Sequence, residues 1–89
     1  MHEHYILGVH VTNRTVNSVE VQKVFSEYGC YIKTRVGLHD VDETGGMCSS
    51  TGIVVLEIIG GRAIVDQIIA KLKPIAGIQT ELMVFSHPQ

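Results

Sequence analysis

No apolar run in this sequence approaches the ~18 to 20 residues that a membrane span needs, and no signal-peptide pattern opens it. Charge is scarce as well. Charged residues make up 18% of the 89, against 45% hydrophobic. That balance excludes a disordered chain. It also leaves few charges to coat a lone protomer, so an oligomer that hides one face is expected. There is no basic excess: the formal net charge is -2. Phosphate neutralisation needs a basic face, so no direct nucleic-acid binding and no membrane contact are expected. Cysteine is limited to Cys30 and Cys48, too few for a disulfide framework, which points to a cytoplasmic protein with free thiols. The length suits one small domain, residues 1–89, with a modest core.

What is present is periodicity. From His4 to Val11 the chain alternates, with Tyr5, Leu7, Val9 and Val11 on one face and His4, Ile6, Gly8 and His10 on the other. Period two predicts a strand with the odd residues inward. After a loop at 12–15, Asn17 or Ser18 is placed to cap a helix, with Glu20 in its first turn. Val21, Val24, Phe25 and Tyr28 recur at three and four residues as one apolar stripe. Gly29 is read as a left-handed stop. Tyr31 to Leu38 alternates again, with Ile32, Thr34, Val36 and Leu38 expected inward and Tyr31, Lys33 and Arg35 outward. His39 to Thr51 is polar and glycine-containing, which marks a connection.

Gly52 to Ile59 is apolar on both parities except for Glu57. An unpaired buried carboxylate is costly, so Glu57 assigns the odd row to the outer face. Gly60-Gly61 turns the chain. Ile64, Ile68, Ile69 and Leu72 mark a second helix, closed by Lys71, Lys73 and Pro74. Ile78 to Phe85 is the last strand, and His87-Pro88-Gln89 is expected to fray. The order strand, helix, strand, strand, helix, strand predicts an α+β, ferredoxin-like βαββαβ sandwich. Its four-stranded antiparallel sheet carries both helices on one face, with the first and third strands central. The face without helices then carries Ile6, Ile53, Val55, Glu57, Ile59, Met83 and Phe85. These are the expected oligomer interface, because a bare patch on the order of several hundred Å² is at the limit of what a monomer exposes. Glu57 is expected to pair with Lys33 or Arg35.

The segment Glu27-Tyr28-Gly29-x-Tyr31-Ile32-x-x-Arg35-x-Gly37, with Asn13-Arg14 and the Gly60-Gly61 turn, resembles a family of small proteins named as regulators of the iron-only hydrogenase system. The resemblance runs from about Tyr5 to Phe85. It implies an ACT-like domain that oligomerises as a dimer or tetramer, similar in shape to the C-terminal domain of the nickel-responsive repressor. By the family name it also implies a part in regulating hydrogenase genes or maturation, with a protein partner in that regulation. The first loop lacks the Asp-Arg-Pro-Gly pattern of amino-acid-binding ACT domains, which argues against an amino-acid sensor.

In ACT-like domains the first loop lies near a subunit interface. Asn13, Arg14, Tyr31 and Arg35 are therefore candidate ligand-binding residues, with arginine offering a two-pronged grip on a carboxylate or phosphate. The alternative for the arginines is an ion pair with Glu57 or Glu81. No cofactor and no metal site are expected. His4, His10 and His39 come nearest to a ligand set, but six residues of strand separate His4 from His10 by about 20 Å. Asp40-x-Asp42-x-Thr44-Gly45 begins like a calcium loop and then has Thr51 where the bidentate glutamate belongs. No nucleophile–base pair is visible, so a non-enzyme is expected. The leading reading is a ligand-sensing regulatory module. The alternatives are a non-catalytic assembly protein for hydrogenase maturation and a metal-sensing domain.

Overall fold

A computed structural model describes residues 2–12, 14–41 and 48–87, and the side chains of 3–12, 19–38 and 52–87. The elements are β1 (His2–Val11), α1 (Arg14–Glu27), a 3₁₀ turn at Gly29–Tyr31, β2 (Ile32–Val41), β3 (Cys48–Ile58), α2 (Arg62–Leu72) and β4 (Ile78–His87). The sheet order is β2-β3-β1-β4, with every pairing antiparallel. This is the ferredoxin-like arrangement, with β1 and β3 central and both helices on one face.

The core follows from the two periods. Tyr5, Leu7, Val9 and Val11 of β1 and Leu56 and Ile58 of β3 are buried. They meet Val21, Val24 and Phe25 of α1, Tyr28 just after it, and Val65, Ile68 and Leu72 of α2 in a single cluster. The α1 stripe is the one its spacing marks. Val65 of α2 is fully buried although the sequence reading passes over it. The Tyr28 hydroxyl reaches Gln67 Oε1 at 3.3 Å, tying the helices together above the sheet.

Four local expectations are corrected. First, α1 begins at Arg14, so Asn17 and Ser18 lie within the helix and do not cap it. Second, Gly29 is not left-handed. Tyr28 leaves α1 at φ -105° and the chain closes the 3₁₀ turn through Tyr31 N–H to Tyr28 C=O at 2.9 Å. Third, β4 continues through His87, which is paired with His2 and is not frayed. Fourth, β2 and β3 extend into the polar connection as far as Val41 and Cys48, leaving 42–47 outside the described residues.

The largest correction concerns β2. Ile32 pairs with Ile58, but the next pair is Thr34 with Glu57, so Lys33 is an extra residue in the ladder. A bulge of this kind reverses the parity of everything after it. Thr34, Val36 and Leu38, expected inward, turn to the open face beside Glu57, Val55 and Ile53. Arg35, expected outward, turns under α1. Its guanidinium lies 5.0 Å from the Phe25 ring centroid and donates to Gln22 Oε1 at 2.9 Å.

Gly60 and Gly61 carry φ of +103° and +90° in the turn from β3 to α2. A Cβ on Gly60 would stand 2.7 Å from Tyr31 Cδ1 and 3.0 Å from Ile64 Cγ1. The same corner is tied by Ile59 N–H to Tyr31 C=O at 2.7 Å. Gly60→Ala is therefore expected to cost about 1–3 kcal/mol in a denaturant titration. Gly37→Ala, where nothing stands within 4 Å of the added carbon, is expected to stay within about 0.5 kcal/mol. Replacing Arg35 with Ala is expected to cost about 0.5–1 kcal/mol, because it removes the stack on Phe25 at an exposed site.

Candidate functional site

The end of the sheet where β1 starts and β3 stops is hollow. A cleft of about 380 Å³ opens beside the Gly60-Gly61 turn, between Glu3, His4, Tyr5, Glu57, Ile59 and the two glycines. Its polar groups fall into two sets, on opposite faces of β1.

On the helix side, the buried Tyr5 ring carries its hydroxyl out to the rim, where it donates to Glu3 Oε1 at 2.5 Å. Ser86 Oγ of β4 donates to Glu3 Oε2 at 3.1 Å. Two donors to a carboxylate favour its charged form. The Tyr5 bond, then the Ser86 bond, holds Glu3 below its ordinary range. The same bond pushes the Tyr5 hydroxyl up. On the α2 side of the turn, Arg62 is held by Asp66 at 3.0 Å, which raises its already high value.

On the open side a polar row crosses the sheet. Lys33 Nζ at the bulge lies 3.9 Å from Glu57 Oε2, and His4 Nδ1 lies 3.6 Å from the same oxygen. His4 Nε2 then meets His87 Nε2 at 3.1 Å. Of the two cations expected near Glu57, Lys33 is the partner, and Arg35 is removed to the other face by the bulge. Glu57 stays partly exposed, as a carboxylate in an apolar strand must unless it is fully paired.

The candidate ligand residues are not gathered here. Tyr31 flanks the cleft through its packing on Gly60. Arg35 lies under α1. Arg14 opens α1, beyond Val11 at the far end of β1, and its side chain lies outside the described residues. Tyr5 pairs with Ile58 beside the cleft, and six residues of strand from Tyr5 to Val11 span about 20 Å. Arg14 and Tyr31 therefore stand at opposite ends of one protomer. Asn13 lies outside the described residues, as do the side chains of His39 and Cys48. His10 shares the open face with His4 but pairs with Ile53 and Gln79, far along the strand. Among the described residues no group of three or more His, Cys, Asp or Glu side chains is gathered to hold a metal. The partner of His4 that the sequence reading missed is His87. Its signal was available once the register was known: His4 pairs with Phe85, which makes His87 the diagonal neighbour.

No family model matches the sequence, and no curated protein does. Among solved structures, the chain is similar to an uncharacterized protein, TM1266, from Thermotoga maritima. The match has a TM-score of 0.79 and 21% identity and covers 96% of this chain and 100% of that one. It is also similar to part of a formyltetrahydrofolate deformylase from Pseudomonas putida, with a TM-score of 0.52 and 15% identity over 90% of this chain. This chain spans 28% of the deformylase. Both likenesses are of fold.

The Glu3 contacts set a pH dependence. A carboxyl held below its unfolded value adds stability that is fully present above the ordinary carboxylate range and lost as pH falls through the folded value. Denaturation midpoints of wild type and Glu3→Gln are expected to differ at neutral pH and to converge as pH falls below that range. A difference that persists unchanged in acid would contradict the assignment.

Proposed function

We propose that the chain is a regulatory, ligand-sensing module that acts by binding and not by turnover, as a homo-oligomer joined through its open sheet face. The observation that carries this reading is the apolar content of that face. Exposure runs from 36% at Ile53 to 55% at Phe85, with Val36, Leu38, Ile59 and Met83 between them. Ile6 and Val55 are half-buried among these neighbours. The bulge enlarges the expected interface by adding Val36 and Leu38.

Size supports the same reading. Four strands spaced about 4.8 Å apart, each about 30 Å long, present a face of roughly 600 Å² in projection. A stable interface takes roughly 800 Å² per partner, so a second copy on this face is of the right scale. Each 100 Å² of apolar surface covered is worth about 2.5 kcal/mol before the costs of association. The cleft opens at one margin of this face through His4, Glu57 and Ile59. A ligand seated there would favour one packing of subunits over another, which is regulation by population shift.

The biological setting, regulation in the iron-only hydrogenase system with a protein partner, rests on the resemblance of Glu27 through Gly37. Arg14 and Tyr31, held apart within one protomer, would need a second copy to share one ligand.

Sedimentation equilibrium at micromolar concentration tests the assembly. The wild type is expected to run as a dimer or larger. Phe85→Glu, which places a charge at the most exposed apolar position of the face, is expected to run as a monomer that keeps the wild-type circular dichroism and melts at a lower temperature, because the stabilisation by assembly is lost. A monomeric wild type would overturn the reading.

A further inference from the structure

The meeting of His4 and His87 is unlike the other polar contacts of the open face. Their Nε2 atoms are 3.1 Å apart, while the ring centroids are 5.1 Å apart and the planes lie within 20° of parallel. The nitrogen edges therefore meet, not the ring faces. Two imidazole nitrogens at this distance are either joined by a shared proton or placed to share a cation.

We infer that His4 and His87 form a chelating pair for a divalent transition-metal ion of the zinc, nickel or copper class. With metal–nitrogen bonds of about 2.0–2.1 Å, the observed separation closes a nitrogen–metal–nitrogen angle of about 95–100°. That lies between the right angle of a square or octahedral site and the tetrahedral angle, so the separation suits these ions once each ring turns by about 40° to aim its lone pair at the ion and not at the facing nitrogen.

Glu57 prepares the pair. Its carboxylate stands 3.6 Å from His4 Nδ1, which favours the tautomer carrying its proton there and leaves the Nε2 lone pair aimed at His87. A carboxylate behind a ligating histidine is the common support of such sites. Without metal, His87 donates its Nε2 proton to His4. On binding, the ion takes that place and the His87 proton moves to Nδ1, so both imidazoles ligate in their neutral form and no proton is released. The register also sets His2 opposite His87, so a third histidine position lies at the same corner of the sheet. Water fills the remaining positions. The site lies at the margin of the face proposed to meet a second copy, but both ligands come from one chain, and it departs from the sequence expectation of no metal.

The test is isothermal titration of the full-length, untagged, chelator-treated chain with zinc and with nickel. The expected result is one ion per chain. His4→Ala and His87→Ala are each expected to weaken binding at least tenfold, and Glu57→Gln by about 10- to 100-fold. His10→Ala, on the same sheet face but remote, is expected to leave it unchanged. All four positions are at least partly exposed, so the variants are expected to keep the wild-type circular dichroism. Nuclear magnetic resonance of the unaltered protein gives a second readout: at one equivalent of zinc, the His4 and His87 ring signals move first. The proposal is overturned if wild type binds no tighter than His4→Ala, if His10→Ala weakens binding equally, or if those two rings do not respond. Because both ligands come from one chain, a protein that proves monomeric still binds one ion per chain, and loss of assembly is read separately from loss of metal.

Discussion

The cost of burying a charge at Glu57 orients the whole sheet. β3 is apolar on both parities, and without an acidic residue either row would serve as core. One carboxylate removes the choice. Leu56 and Ile58 are buried against the helices, while Glu57 remains partly exposed on the other side, within reach of Lys33 and His4. β1 is locked to β3 through seven consecutive pairs from Tyr5–Ile58 to Val11–Gly52. The orientation of β3 thus sets which residues of β1 face the helices, and β4 follows from its ladder with β1.

The same carboxylate sits at the first of two breaks in the β2–β3 ladder, the second falling between His39 and Val41. Lys33 is the extra residue opposite Glu57, and the bulge it makes sends Arg35 under α1 and Val36 and Leu38 to the open face. The edge strand can accept this because Arg35 stays exposed there and lays its guanidinium against Phe25 and Gln22. One physical cause thus leaves the helix side with a satisfied cation and the other side with a wider apolar surface. The cleft at the Gly60-Gly61 turn lies where the two sides meet.

Much of this was legible from residues alone. The alternation in Tyr5 to Val11 and the stripe Val21, Val24, Phe25, Tyr28 each have one physical reading, and each is buried as read. Glu57 gave the facing of β3 because a charge is an unambiguous marker. The bulge was not legible. Lys33 and Thr34 carry no glycine or turn chemistry, and a bulge is a property of two paired strands, which a pattern within one strand does not encode. Gly29 misled for a related reason: glycine permits a left-handed stop without requiring it, and here the chain closes a 3₁₀ turn instead. The pairing of His4 with His87 depends on the β1–β4 register, and so no local motif announces it. The ligand residues gathered by resemblance are spread along the full length of the sheet, because resemblance transfers positions and not distances.

Whether a second copy covers the helix-free face decides between a sensing assembly and a lone protomer. The most direct measurement labels methyl groups and adds a soluble paramagnetic probe. Met83 on the open face and Val19 on α1 are both exposed in the protomer, at 53% and 60%. With the face covered, the Val19 methyls are expected to broaden strongly while the Met83 methyl is shielded. Equal broadening of both would show the face open to water and would contradict the assembly.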